Sequence, residues 1–242
     1  MKIKLYLLFL CFLTVHTVKA QNWGGGVDDD PLHFGFTFQY VSSEYKILKK
    51  ASWPEPFIDP DSGTPVSGPL RSVSSKSSPG FGIGFVVNQR ISGNADVRFT
   101  PMLIFNDRLA YYDFEGEEAP IEKKVQSTMI DLPLGIKIKS DRRNNFRAYV
   151  IGGAKYSLDI ASKKRTNDAP NAPMEKFLKN RKNFLSYEAG FGCDLYFEYF
   201  KMSPEIKLSY SLNSVLTNDP SPYSAPTDKL MLRHVTFSLF FE

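Results

Sequence analysis

After residue 20, apolar and polar side chains alternate with a period of two through most of the chain, the spacing of an extended strand with two different faces. In LHFGFTFQY (32–40), Phe34, Phe36, Phe38 and Tyr40 alternate with His33, Gly35, Thr37 and Gln39. The same rhythm returns in GFGIGFVVNQR (80–90), ADVRFTPMLIF (95–105) and VQSTMIDLPLGIKIK (125–139). It continues in FRAYVIGGAKYSLDI (146–160), FLSYEAGFGCDLYF (184–197), FKMSPEIKLSYSL (200–212) and RHVTFSLFFE (233–242). These segments predict eight strands, an even number, as a closed antiparallel barrel with both termini at one end requires.

The connections predict the kind of barrel. Gaps 41–79, 106–124, 161–183 and 213–232 read as long, whereas 91–94, 140–145 and Glu198-Tyr199 read as short. Strict long–short sorting is the habit of bacterial outer-membrane barrels, with short periplasmic turns and longer extracellular loops. It places both termini on the periplasmic side.

One face of each strand is continuously apolar. The other is rich in Gly and carries Arg98, Asp131, Lys137, Lys155, Asp159, Glu188, Asp194, Lys201, Glu205 and Lys207. The economical arrangement puts the apolar face toward lipid and the charges inside. The fold class is therefore all-β: an eight-stranded antiparallel transmembrane outer-membrane β-barrel. Its lumen, just wide enough for side chains to fill, should hold a plug of ion pairs. Register counting puts Asp131 opposite Lys155 and Asp194 diagonally near Lys201, both pairs inward and within salt-bridge reach. Tyr40, Tyr111, Tyr112, Tyr149, Tyr187, Tyr199 and Phe200 fit aromatic girdles at the membrane interfaces.

Residues 1–20 have the anatomy of a cleaved secretory signal: Lys2 and Lys4, an apolar run Leu5 to Val15, then Val18-Lys19-Ala20. The expected organisation is a signal peptide (1–20), a short periplasmic lead (21–31) and one barrel domain (32–242). Without the signal, 27 basic residues face 26 acidic ones, so no electrostatic case exists for a nucleic-acid partner. One thiol remains, Cys193, and cannot form an internal disulfide.

Candidate chemistry is sparse. His33 and His234 are the histidines left after cleavage; they lie on the first and last strands, about 15–20 Å apart by strand rise, which favours plain lumen residues over a catalytic or metal pair. DFEGEE (113–118) reads as a solvated acidic run rather than a cation site. GFGIG (80–84) lacks the following helix that a phosphate-binding loop needs. Loop 159–182, with Lys163, Lys164, Arg165, Lys176, Lys179, Arg181 and Lys182, is basic enough to meet lipopolysaccharide phosphates. Loop 51–79 is rich in Pro and Ser. No catalytic, cofactor-binding or metal-ligating residue is assigned, no small-molecule substrate is indicated, and the expectation is a non-enzyme.

From about residue 32 to 242 the chain resembles the PorT family, called SprT in gliding bacteria, of outer-membrane barrels associated with type IX secretion. The resemblance is carried by LHFGF, PGFGIGFV (79–86), VRFTPMLIF (97–105) and STMIDLPLGIKIKS (127–140), then NNFRAYVIGGAKYSLD (144–159), YEAGFGCDLYFEYFKMSPEIKLSYSL (187–212) and VTFSLFFE. The closing residues also resemble the aromatic final strand that barrel-assembly machinery reads, except that Glu242 follows the aromatic. The resemblance implies an outer-membrane component needed for type IX protein secretion and, in gliding relatives, for delivery of surface adhesins. The implied partners are outer-membrane lipid and lipopolysaccharide together with other secretion components. A charge-packed lumen favours an assembly or docking role over a conduit; the alternative is a small porin-like or adhesin-like barrel that binds a ligand or a surface.

Overall fold

The computed structural model describes residues 30–60, 62–161, 171–217 and 219–242. The expected signal peptide and most of the lead lie outside them. Ten strand segments occur: β1 (Leu32–Lys49), β2 (Leu70–Lys76), β3 (Ser78–Ser92), β4 (Ala95–Phe99), β5 (Met102–Phe114), β6 (Ile121–Lys139), β7 (Phe146–Asp159), β8 (Asn183–Tyr196), β9 (Lys201–Ser211) and β10 (Thr227–Phe241). Two pairs of segments are single staves interrupted once. β2 and β3 break at Ser77, and β4 and β5 break at Thr100-Pro101, where proline cannot donate to the ladder. All pairings are antiparallel, and β1 pairs with both β3 and β10. The sheet thus closes on itself as an eight-stave barrel, and through the apolar band β1 is paired on both sides and β6 with both of its neighbours, as backbone groups that lipid cannot satisfy require.

The strands run further than the apolar stripe suggests. β6 reads outward as Glu122, Lys124, Gln126, Thr128, then Ile130, Leu132, Leu134, Ile136, Ile138. Its inward positions invert in step: Ile121, Val125 and Met129 give way to Asp131, Lys137 and Lys139. β1 does the same from the other direction. Phe34, Phe36, Phe38 and Tyr40 face out and are followed by Ser42, Glu44 and Lys46, while Thr37 and Gln39 face in and are followed by Val41 and Tyr45. Such a strand, β1 or β6, therefore crosses two solvents. Below the inversion it is polar inside and apolar outside; above it, apolar inside and polar outside, as in a water-soluble barrel.

This inversion corrects the loop lengths. The connections at the long-loop end are 50–69, 115–120, 160–182 and 212–226, against 93–94, 140–145 and 197–200 at the other. Gap 106–124, expected to be long, is mostly strand and closes with a turn no longer than 140–145. The long-loop end stays the longer one in the other three cases. The periodicity persisted there, but with reversed phase.

The outward apolar run on β6, Ile130 to Ile138, spans eight residue steps, about 26 Å along the strand. At a tilt near 40° that is roughly 20 Å of height, close to the ~25 Å apolar band of outer-membrane barrels. Tyr40 and Tyr187 face outward, and Tyr199 lies bare in the β8–β9 turn beside Phe200. Tyr112 and Tyr149 do not join the expected girdle: both are buried and point inward, because they share strand phase with Arg108 and Lys155.

The band makes a depth-dependent prediction. Leu134→Arg, at its centre, should cost about 2–4 kcal/mol, and Gln126→Arg, above the inversion, about 0–1 kcal/mol. Equilibrium unfolding from phospholipid bilayers checks the pair.

Candidate functional site

The lumen is filled by ion pairs. All ten charged residues assigned to the inner face from the sequence are buried. Arg98 lies at the centre of the lower lumen, its guanidinium 3.1 Å from Glu205 and 3.0 Å from Glu242. The same guanidinium stacks 4.5 Å over the Phe240 ring, and the Tyr149 hydroxyl donates to Glu205 at 2.9 Å. Lys201 pairs with Glu242 at 2.8 Å, and Lys207 with Glu188 at 3.2 Å and Glu205 at 3.4 Å. Lys137 donates to both Asp194 oxygens at 2.7 and 2.8 Å. Lys139 holds Asp96 at 2.6 Å, and Lys155 holds Asp131 at 2.9 Å.

Six cations (Arg98, Lys137, Lys139, Lys155, Lys201, Lys207) thus meet six anions (Asp96, Asp131, Glu188, Asp194, Glu205, Glu242). The balance matters because an uncompensated charge in a dry interior costs several kcal/mol. The expected Asp131–Lys155 bridge forms inward, but diagonally: Asp131 stands opposite Ser157, and Lys155 opposite Pro133. The β6–β7 register is offset by two residues from the count, since the turn centres on Asn144, a non-glycine residue with positive φ (54°). Asp194 and Lys201 also face inward and sit diagonally across the β8–β9 hairpin. The carboxylate of Asp194 is held by Lys137 and by the Ser203 hydroxyl at 2.6 Å.

Glu242, which departs from an aromatic ending, has a task in this network. Its backbone exchanges hydrogen bonds with Lys201 at 2.7 and 2.9 Å, and its carboxylate bridges Arg98 and Lys201.

A second seal closes the loop end. Buried Tyr45, Tyr112, Phe184, Leu230 and Leu232 from the strands pack with Leu178, Val215, Leu216 and Tyr223 from loops 160–182 and 212–226. Short ladder bonds tie these loops together: Arg181 N–H donates to the Val215 carbonyl at 2.7 Å and Thr217 N–H to that of Lys179 at 3.0 Å. The Tyr112 hydroxyl donates to the Tyr223 carbonyl at 2.9 Å, and the Tyr223 hydroxyl to that of Met174 at 2.6 Å. Burial pushes the Tyr223 phenol up to about 12 and lowers the Lys123 ammonium, which stacks on that ring. Arg108, buried between plug and cap, places Nη2 2.6 Å from the Met129 sulfur. Arg108 falls in a gap whose outer face lacks a continuous apolar stripe and so reads as loop; the inverted alternation Asn106, Arg108, Ala110, Tyr112 is the signal that places it on a strand.

The remaining sequence candidates disperse. His33 lies ten positions below Ser43, the cross-strand partner of His234, so the two are about 33 Å apart along the strands, further than the count suggested. His234 is buried with Nδ1 3.2 Å from Lys155 Nζ. In GFGIG, a Cβ on Gly80 would lie 2.4 Å from the Asn106 side chain, and one on Gly84 2.4 Å from the Pro101 carbonyl. Close strand approach, not phosphate, requires these glycines. In DFEGEE, Asp113 and Phe114 end β5, with Phe114 buried, and Glu115 pairs with Arg71 at 3.7 Å on the surface. Of the basic loop, Lys163, Lys164 and Arg165 lie outside the described residues. Lys176 donates to the Pro220 carbonyl at 3.3 Å, Lys179 pairs with Asp219 at 2.5 Å, and Arg181 donates to the Leu216 carbonyl at 3.3 Å. These three fasten one loop to the next. No trio of His, Cys, Asp or Glu positioned for a metal occurs among the described residues.

Residues 26–217 match the family model described as the outer membrane protein beta-barrel domain. The chain belongs to that family. Its location is accordingly the outer membrane. Among solved structures, this outer-membrane barrel is similar to OprG from Pseudomonas aeruginosa, at 13% identity, covering 86% of this chain and 93% of that one with a TM-score of 0.40. It is also similar to Ail, the attachment invasion locus protein of Yersinia pestis, solved with the heparin analogue sucrose octasulfate, at 10% identity, 86% and 96% coverage and a TM-score of 0.34. No curated protein matches the chain.

The plug of this outer-membrane barrel predicts unequal costs for two arginines. Arg98→Met strips a cation from both Glu205 and Glu242 and should destabilise by about 3–5 kcal/mol. Arg71→Met, which removes an exposed pair, should stay within about 0.5 kcal/mol. Urea unfolding in detergent micelles measures both.

Proposed function

We propose that this barrel is a PorT-type (SprT-type) component of type IX protein secretion, serving as an assembly or docking element in the outer membrane rather than as the conduit. The observation that carries the non-conduit half is the double closure of the lumen: a neutral ionic plug in the lower barrel and an apolar cap across the loop end. A polypeptide cannot thread this lumen without breaking six buried cations from their partners. The type IX assignment is supported by the ordered strand strings, above all the β8–β9 hairpin with FKMSPE (200–205). In this reading, both termini face the periplasm, residues 1–20 are the export signal, and the loop end meets lipopolysaccharide and the other secretion components. The chain performs no catalysis of its own.

The family match alone is equally compatible with a small porin-like or adhesin-like barrel acting by itself. A deletion strain separates the two. The secretion role predicts loss of extracellular proteases or surface adhesins with periplasmic accumulation of their precursors, whereas intact export would leave the simpler barrel. The purified protein in planar bilayers should show no nanosiemens conductance; open-channel currents of that size would contradict the docking role.

A further inference from the structure

The loop end is divided by charge. Loops 50–69 and 115–120 together hold Lys50 against Glu55, Asp59, Asp61, Glu115, Glu117 and Glu118, a net of −5, whereas 160–182 holds seven cations against two acids, a net of +5. The two acidic loops are joined: Glu115 N–H donates to the Pro69 carbonyl at 2.8 Å, and β2 pairs with the end of β5. The basic loop is fastened to 213–221 and, through its Met174 carbonyl, to Lys123 at 3.2 Å.

A cavity of about 210 Å³ opens within the acidic half. Trp53, Phe57, Leu70, Phe114 and Pro226 form its walls, and Glu55 is the ionisable group that lines it. The volume suits one long side chain rather than a large ligand. Ile58, which also lines it, is left 60% exposed, an apolar step available to a neighbouring residue of an extended chain and of no use to a small free cation. Lys49 already sits 3.8 Å over the Trp53 ring, so the acceptor left for an incoming cation is the Glu55 carboxylate.

We propose that this cavity docks a lysine or arginine side chain presented by a polypeptide. The methylene stem lies against Trp53, Phe57 and Phe114, and the charged head reaches Glu55 at the rim, the division of labour that long basic side chains favour. The surrounding negative field raises the encounter rate and rejects acidic segments. This inference does not depend on the type IX reading; it holds for any polypeptide partner that meets the loop end.

The full chain offers its own probe, because Trp23 and Trp53 are its two tryptophans. In a Trp23→Phe background, the emission of Trp53 is followed in detergent micelles while blocked Ala-Arg-Leu-Ala, Ala-Glu-Leu-Ala and free spermidine are titrated separately. The expected result is a saturable change with the arginine peptide alone, weakened about tenfold or more by Glu55→Gln and by raised salt. Resistance of the folded band to detergent denaturation confirms that Glu55→Gln, an exposed change, leaves the barrel intact. No saturable change, equal binding of the glutamate peptide, or indifference to Glu55→Gln overturns the proposal. Spermidine binding as tightly as the arginine peptide overturns the polypeptide assignment.

Discussion

Charges in the lower lumen of this barrel are paired with one another, and charges on its outer face are kept out of the apolar band. These two constraints decide nearly everything else. Lipid removes the water that would solvate an outward Lys or Asp, so ionisable residues of the spanning segments turn inward. The lumen of an eight-stave barrel is too narrow to supply that water in bulk, so the inward charges must neutralise one another. Arg98, shared by Glu205 and Glu242 and roofed by Phe240, is the point where both demands meet. The glycines on neighbouring staves, such as Gly80 and Gly84, let adjacent backbones and long inward side chains occupy the same narrow section.

The same constraint explains why the barrel changes character part-way up. Once a strand leaves the band, water returns to its outer face and the hydrophobic effect again favours apolar residues inside. Glu44 and Arg233 then pair outside on adjacent strands, Lys124 pairs with Asp107 outside at 2.7 Å, and Tyr45, Tyr112 and Leu230 gather within. The loop end is therefore a folded cap continuous with the barrel.

Much of this was legible in residue order. The phase of Asp131, Lys137, Lys155, Glu188, Asp194 and Glu205 fixed their common face, and the apolar stripe located the band. What was not legible has two physical causes. The outward apolar stripe ends before the strands do, so the inverted stretches Val41 to Ile47 and Asn106 to Phe114 carry no continuous outward apolar signal and read as loop. Aromatics near strand ends sit where girdle residues sit even when strand phase, as for Tyr149 between Arg147 and Ile151, turns them inward. Pairing across the lumen, such as Arg98 with Glu242 or Lys137 with Asp194, depends on strand tilt and stagger. No local pattern carries that information.

The membrane boundary lies where the polarity of β1 and β6 inverts. In a Cys193→Ser background, single cysteines at outward positions 122, 124, 126, 130, 132, 134, 136 and 138 of β6, labelled with a fluorophore in bilayers, test it directly. The account predicts quenching by brominated lipid from position 130 to 138 and by a water-soluble quencher at 122 to 126. Uniform lipid quenching along the whole series, or shielding of 130 to 138 from both quenchers, would contradict it.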